Sequence, residues 1–136
     1  MIRLIYFLYQ VFIALPILLV TTILVCLTII IGCSIGNAHF WSYWPGKIWS
    51  YIFCYALLLP VKVKRNPNVK KDTSYVFVAN HQGGFDIFLI YGFLGHQFKW
   101  LMKVGLRKLP LVGKAAESAG HIFVDKSGPR KILATI

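Results

Sequence analysis

The sequence predicts an α/β fold in which a membrane helix and an interfacial or re-entrant helix precede one small domain. Two observations support this prediction. No charged residue lies between Arg3 and Lys47. Beyond Pro60, short β-rich runs alternate with helical stretches, a pattern typical of α/β domains. This change of pattern divides the chain into a membrane-anchoring helical segment, residues 1–59, and a domain that covers residues 60–136.

Residues 4–33 are almost wholly apolar and are predicted to form one membrane-embedded helix. Thirty helical residues reach about 45 Å, against roughly 30 Å of hydrocarbon, so the helix is long enough to span a bilayer with tilt or a kink. Pro16 is the predicted kink site, because proline removes a backbone hydrogen bond. A secretory signal peptide fits less well, since the apolar run is too long and no convincing cleavage site follows it.

The second apolar segment, residues 39–61, is rich in aromatic side chains that favour the headgroup boundary of a membrane. Lys47 and the Pro45-Gly46 pair are expected to break its first half. The charge-free remainder, 48–61, is short for a crossing helix. We therefore predict an interfacial or re-entrant helix, with a second transmembrane helix as the alternative. The aromatic residues are Trp41, Tyr43, Trp44, Trp49, Tyr51 and Tyr55.

The composition restricts the partners of this chain. It is 57% hydrophobic, and its 15 basic residues against 4 acidic ones give a net charge of +11. We exclude nucleic acid, because no recognition motif is present and the chain is too apolar; membrane lipids and phosphorylated substrates explain the charge better. A basic cluster after the second segment predicts a membrane location, the inner membrane in a bacterium, with the domain on the cytoplasmic side. Its members are Lys62, Lys64, Arg65, Lys70 and Lys71.

Short patterns predict the elements of the domain. Val61–Lys64 alternates between apolar and basic residues, as a half-buried strand does, and Ser74–Ala79 is a second β-rich run. Asp86 begins a helical stretch that continues to Phe93. The remaining predictions are a strand at Phe98–Lys103, a turn at Pro110, a helix within Leu111–Ala119 with Gly120 as its C-cap, and a buried strand at His121–Asp125.

A histidine and an aspartate, His81 and Asp86, follow the second β-rich run directly. An imidazole acts as a base at neutral pH when its tautomer is fixed and its cation is stabilised, and a carboxylate bound to the other ring nitrogen does both. Gly83 and Gly84 are predicted to let the backbone turn sharply, so that Asp86 folds back toward His81. An alternative role for Asp86 is that of a helix cap alone.

The stretch from Asn80 to Asp86 resembles the NHxxxxD signature of the glycerolipid acyltransferases, of the 1-acyl-glycerol-3-phosphate (lysophosphatidic acid) acyltransferase type. A second block at the expected separation strengthens the resemblance, which covers roughly residues 60–136. An N-terminal membrane segment is also usual for this family. The second block is Lys103-x-x-Leu106-x-x-x-Pro110-x-x-Gly113, followed by Gly120-His121-Ile122-Phe123-Val124-Asp125-Lys126.

The resemblance implies the N-terminal part of an acyltransferase α/β domain. Such enzymes move a fatty acyl group from acyl-CoA or acyl-carrier protein to a lysophospholipid such as 1-acyl-glycerol-3-phosphate, in phospholipid biosynthesis. By this resemblance His81 is the base, Asp86 orients it, and Asn80 supports the loop together with its glycines. Lys103 and Lys126 would bind the phosphate of the acceptor. The chemistry requires no metal or other cofactor.

Two departures from the family pattern are visible. Lys126 stands where the family usually has arginine, and the family's third block, a Glu-Gly-Thr-Arg-type loop, is not found before Ile136. We therefore expect the 136-residue chain alone to turn over poorly. The departures also leave an alternative open, in which the chain is a truncated, non-catalytic acyltransferase-like membrane protein that binds lipid or a partner.

Overall fold

The computed structural model describes residues 1–80, 83–125 and 127. Within these ranges the chain is rich in helix and carries one small parallel sheet. In chain order the elements are α1 (Ile2–Tyr9), a π-helical turn (Gln10–Ala14), α2 (Leu15–Ile35), α3 (Ala38–Trp41), α4 (Trp44–Ala56), α5 (Phe85–Phe93), β1 (Leu101–Lys103), a 3₁₀ helix (Val104–Lys108), α6 (Val112–Ser118) and β2 (Ile122–Val124).

The first three elements form one continuous helix, Ile2–Ile35, of 34 residues. Among the described residues it is the one helix long and apolar enough to cross a membrane. The π-helical turn ends at Ala14, two residues before Pro16, the predicted kink site. A proline ring clashes with the carbonyl four residues earlier. A wider turn relieves that clash, and here the Leu15 N–H donates to the Gln10 carbonyl.

The helix α4 runs antiparallel to this long helix. The Trp49 indole N–H donates to the Thr22 hydroxyl at 3.0 Å, and the Tyr9 hydroxyl donates to the Ala56 carbonyl at 2.9 Å. We call α1, the π-helical turn, α2 and α4 together the helical hairpin. Apolar side chains of α1 and α2 remain exposed along its whole length, from Ile2 to Ile35, so the hairpin keeps an uncovered apolar face.

The prediction that Pro45-Gly46 breaks the second segment was wrong. Both residues lie in the first turn of α4 and are buried. Proline is tolerated there because the first N–H groups of a helix have no partner within the helix. Gly46 has a packing role: a Cβ at this position would lie 2.6 Å from Cε1 of Tyr91. The Tyr91 ring of α5 therefore rests directly on the start of α4.

The helices α5 and α6 both pack on the helical hairpin. At the far end of α4, the Phe88 ring of α5 stacks on Phe53, with centroids 3.4 Å apart and planes 10° apart. Together with the Tyr91 contact, this makes α5 antiparallel to α4. Buried alanines of α6 pack against α2, where they join Cys26 and Ile29 in one apolar cluster. The domain is thus built directly onto the side of the hairpin.

The sheet is formed by β1 and β2, which pair in parallel with Leu101 opposite Ile122 and Lys103 opposite Val124. The strand predicted at His121–Asp125 is present as β2, but it is buried only at Val124, and Ile122 is 44% exposed. Both helices predicted in the domain are confirmed, and β1 is the last part of the predicted strand at Phe98–Lys103.

The strands predicted at Val61–Lys64 and Ser74–Ala79 are wrong, since neither run joins a ladder within the described ranges. From Tyr75 to Val78 the exposed fractions still alternate, at 39%, 92%, 40% and 93%. The run therefore has the side-chain alternation of a strand but pairs with no described neighbour.

Replacement of Gly46 by alanine tests the contact between α4 and α5. Alanine favours a helix interior by about 1 kcal/mol over glycine, yet here its Cβ would overlap the Tyr91 ring. We expect a net loss of roughly 1–3 kcal/mol in the free energy of unfolding, measured by thermal denaturation in detergent. Gly105→Ala is the matched control, because its Cβ would meet no atom within 4 Å. Equal stability of the two variants would contradict the close contact.

Candidate active site

Asp86 lies in the first turn of α5, where its carboxylate is held by the preceding loop. Oδ2 accepts the Gly83 N–H at 3.0 Å, and the Asp86 N–H donates to the Gly83 carbonyl at 3.2 Å. This pair of bonds fixes the carboxylate at the start of the helix, where its negative charge is favourable. His81 lies outside the described residues, so its contact with Asp86 stays a prediction.

The predicted return of Asp86 toward His81 stays a prediction, because His81 lies outside the described residues, but the two glycines do not use the left-handed backbone region. Neither Gly83 nor Gly84 has a positive φ, and a Cβ on either would find no atom within 4 Å in the described chain. Both glycines and Asn80 are exposed. The loop therefore has open space beside it, on the side where a side chain at either glycine would project.

An aromatic clasp holds the Asp86 helix in place. We use this name for Trp49 and Phe53 of α4 together with Phe85 and Phe88 of α5. Besides the Phe53–Phe88 stack, the Trp49 and Phe88 centroids are 4.7 Å apart and those of Phe53 and Phe85 are 6.2 Å apart. This contact was not predicted, because Trp49 was assigned to the headgroup boundary of a membrane. The spacing of three and four residues within the aromatic clasp was the available signal.

Lys103 is the last residue of β1 and is exposed. Because β1 and β2 are parallel, their carboxyl ends meet at one edge of the sheet. Lys103 therefore lies beside Val124, and the next residue, Asp125, accepts the Ser127 N–H at 2.9 Å. Lys126, the second predicted phosphate ligand, lies outside the described residues. Of the two lysines, the structure thus describes one, at the edge where a parallel sheet commonly binds ligands.

Other residues of the second block have structural roles. A Cβ on Gly113 would lie 2.2 Å from the Arg107 carbonyl oxygen, so glycine lets α6 begin against the 3₁₀ helix. Gly120 has φ +72° and ends α6 as predicted, with its N–H donating to the Glu117 carbonyl at 2.9 Å. The Arg107 guanidinium is hydrogen-bonded to the Glu117 carboxylate and thereby lowers its pKa. These contacts fix the 3₁₀ helix and α6, which together connect the two strands.

Tyr91 connects the Asp86 helix to the strand region. Its hydroxyl donates to the Ser42 carbonyl at 3.0 Å, and burial raises its pKa. Its ring centroid is 5.3 Å from that of Phe98, 6.2 Å from Trp100 and 6.3 Å from His121. One buried ring of α5 therefore contacts both the hairpin and the residues that lead into the two strands, which sets the position of the two motif blocks relative to each other.

Lys99 and His121 complete this connection. The Lys99 ammonium donates to the Ser42 hydroxyl at 2.8 Å and to the Ala119 carbonyl, at the end of α6, at 2.5 Å. Burial lowers the Lys99 pKa. His121 Nδ1 accepts the Trp100 N–H at 3.3 Å, and burial, followed by the Lys99 charge, lowers the His121 pKa to about 4. His121 is therefore a neutral packing group at pH 7.

Comparison with known sequences identifies the family of this chain. The sequence profile of the acyltransferase family matches residues 60–136. The chain belongs to the acyltransferase family. This confirms the recognition made from the two motif blocks. Within the described ranges of this acyltransferase, no three His, Cys, Asp or Glu side chains lie close enough to hold a metal ion.

Three curated relatives are 1-acyl-sn-glycerol-3-phosphate acyltransferases. The chloroplastic protein of Arabidopsis thaliana is 31% identical over 85 residues, which is 62% of this chain and 23% of the relative. For the chloroplastic protein of Brassica napus the identity is 29%, over 62% of this chain and 24% of the relative. The protein of Saccharomyces cerevisiae is 26% identical over 75% of this chain and 33% of its own length. The matched regions thus span about a quarter to a third of these relatives, and no solved structure matches the chain significantly.

The stability of this acyltransferase chain is expected to depend on pH through His121. Its pKa is lowered in the folded state, so the stabilisation is complete above the unfolded pKa of about 6.5 and is lost as the pH falls from there to about 4. We expect a loss of roughly 2–3 kcal/mol over this range, at 1.36 kcal/mol per pKa unit. Chemical denaturation in detergent at pH 7, 5.5 and 4 measures it. His121→Gln should flatten the profile, and an unchanged slope in that variant would contradict the assignment.

Proposed function

We propose that this chain carries the catalytic base of a membrane-bound acyltransferase. The enzyme moves a fatty acyl group from acyl-CoA or acyl-carrier protein to a lysophospholipid such as 1-acyl-glycerol-3-phosphate. The observation that carries the proposal is the carboxylate of Asp86, which the Gly83 N–H holds at the start of α5, five positions after His81. Family membership and the similarity to 1-acyl-sn-glycerol-3-phosphate acyltransferases support the substrate class.

In the proposed mechanism His81 removes the proton of the acceptor hydroxyl as that oxygen attacks the thioester carbonyl. Asp86 accepts a hydrogen bond from the other ring nitrogen, which sets the tautomer and stabilises the imidazolium. The tetrahedral intermediate then expels the thiolate, and the imidazolium returns the proton to the sulfur. The acyl group passes directly to the new ester, so no acyl-enzyme is formed. The mechanism uses no metal and no redox cofactor.

Lys103 is proposed to bind the acceptor phosphate from the carboxyl edge of the sheet, with Lys126 as a second ligand. Lysine serves as a point charge for phosphate but lacks the two-pronged geometry of arginine. An exposed lysine at a strand end has a long, rotatable side chain that can reach the phosphate of a headgroup that enters from the membrane. Asn80, Gly83 and Gly84 are proposed to support the loop that carries His81.

The helical hairpin is proposed to lie at a shallow angle in one leaflet, with its uncovered apolar face toward the hydrocarbon. The long helix measures about 51 Å at 1.5 Å per residue. Both α4 and α6 pack along its side, so an upright span would draw the charged domain into hydrocarbon, where charges are costly. A shallow position instead brings Asp86 close to the lipid surface. We propose the cytoplasmic leaflet, from the basic cluster.

A non-catalytic role is the second candidate. In this candidate the exposed apolar side chains of α1 and α2 bind lipid or a partner, and the chain does not turn over substrate. Kinetics distinguish the two candidates, because only the catalytic one depends on His81.

The roles of His81 and Asp86 can be tested in a complete version of the enzyme in lipid nanodiscs, supplied with acyl-CoA and 1-acyl-glycerol-3-phosphate. His81→Ala should lower kcat by at least about a hundredfold, the lower range for a general base. Asp86→Asn keeps an acceptor for the Gly83 N–H but removes the charge, so kcat should fall at least about tenfold with little change in stability. Normal kcat in the asparagine variant would leave Asp86 as a helix cap alone. Wild-type turnover no higher than that of His81→Ala would favour the non-catalytic candidate.

Removal of the Lys103 charge should weaken binding of the phosphorylated acceptor more than binding of the thioester donor. Lys103→Ala should raise KM for 1-acyl-glycerol-3-phosphate roughly tenfold, equivalent to one lost charge-assisted contact, with KM for the thioester nearly unchanged. Lys108→Ala is the control, since Lys108 is also exposed and ends the neighbouring 3₁₀ helix. Equal effects on both substrates would argue against the assignment. Lys126→Arg should be tolerated, because arginine keeps the charge.

Membrane association can be tested by extraction. The chain should stay with the membrane fraction during alkaline carbonate treatment, because its uncovered apolar face has no other partner in water. Immunoblots of pellet and supernatant measure the distribution. Release of most of the chain into the supernatant would contradict the proposed embedding.

A further inference from the structure

The segment between α4 and the Asp86 loop follows a path that suggests a second role. It begins at Leu57, whose carbonyl accepts the Tyr6 hydroxyl at 2.8 Å near one end of the helical hairpin. It reaches Arg65, whose Nη1 lies 3.0 Å from the position of a Cβ on Gly95. Gly95 follows α5 at the opposite end, where Tyr91 packs on the start of α4. The segment therefore returns along the full length of α4.

The lengths agree with this path. The 13 residues of α4 rise by about 20 Å, and eight residues of extended chain reach about 26 Å. Lys62 and Lys64 thus lie between the two ends of the hairpin, while Arg65, Lys70 and Lys71 lie at the end near Gly95. We call these five residues the cationic stripe.

No acid within residues 1–80, 83–125 and 127 serves as a counter-ion for the cationic stripe. All five side chains belong to exposed residues, and none forms an ion pair with an acid of the described chain. The loop that carries them is nevertheless held in place. The Lys70 N–H donates to the Tyr75 hydroxyl at 3.0 Å, and the Lys70 carbonyl lies 3.2 Å from Nε2 of His96. Unpaired cations on a fixed backbone suit a partner that presents many anions on one surface.

From this arrangement we infer that the cationic stripe binds the headgroups of anionic phospholipids while the hairpin lies in the leaflet. Exposed apolar residues lie beside the cations, with Leu58 before them and Val63 and Val69 among them, as suits the boundary between headgroups and acyl chains. The stretch 58–71 has no aromatic residue on which a nucleic-acid base could stack. The inferred partner of the cationic stripe is therefore a bilayer surface rich in phosphatidylglycerol or a similar anionic lipid.

The inference rests on the proposed shallow placement, but its test does not require turnover. The chain is reconstituted into phosphatidylcholine vesicles that contain a trace of either dansyl-phosphatidylglycerol or dansyl-phosphatidylcholine. Energy transfer from the tryptophans to dansyl reports which lipid is enriched around the protein. We expect transfer to the anionic lipid to exceed transfer to the neutral one roughly threefold at low salt and to become equal near 1 M salt, where charges are screened within about 3 Å. A wild-type chain without this preference would overturn the inference.

Matched variants test whether the preference for anionic lipid arises from the cationic stripe. The double variant Lys62→Gln with Lys64→Gln should lose at least about half of the preference, whereas Lys62→Arg with Lys64→Arg should retain it. The control double variant, Lys108→Gln with Lys114→Gln, removes the same charge elsewhere and should leave the preference unchanged. Equal losses in the glutamine variant and in the control would reduce the effect to net charge and overturn the inference. Displacement of the anionic lipid by millimolar glycerol phosphate would assign the cations to a soluble phosphate and would also overturn it.

Discussion

The position of α4 between the long apolar helix and α5 is the constraint on which the rest of the structure depends. One side of α4 is fixed to α2 by the Trp49–Thr22 hydrogen bond, and the other holds α5 through the Phe53–Phe88 stack. Aromatic pairs of this kind contribute about 0.5–1.5 kcal/mol each beyond the burial of their area. The aromatic clasp supplies several such pairs, so the helix that carries Asp86 takes its position from the hairpin.

The two motif blocks pack on different helices of the hairpin, the first through α5 on α4 and the second through α6 on α2. Tyr91 and Lys99 link the two blocks to one point of the chain. Both side chains bind Ser42, one through the backbone carbonyl and the other through the hydroxyl. Ser42 lies in the turn between α3 and α4, so a single turn of the N-terminal helical segment fixes α5 and the end of α6 together. The apolar helices thus serve as the scaffold on which both halves of the candidate site are placed.

Local signals predicted much of the fold. The helix that begins near Asp86 and the turn that ends at Gly120 depend on neighbouring residues, and both are present. The strand predicted at Ser74–Ala79 failed because pairing depends on a partner remote in sequence. Pro45 was misread because the effect of proline depends on where a helix begins. In the site, the position of Asp86 followed from its motif, whereas Tyr91 gains its role only from tertiary packing that no spacing reveals.

The order of the elements along the chain gives the hairpin a further consequence. A ribosome completes Phe53 and the rest of α4 before it adds Phe85, Phe88 or any residue of α6. The surfaces on which α5 and α6 pack therefore exist before those helices are made. Each later helix can dock as it emerges, and its contacts with the hairpin do not wait for the rest of the domain. Folding of the hairpin and assembly of the candidate site are in this way successive steps of one process.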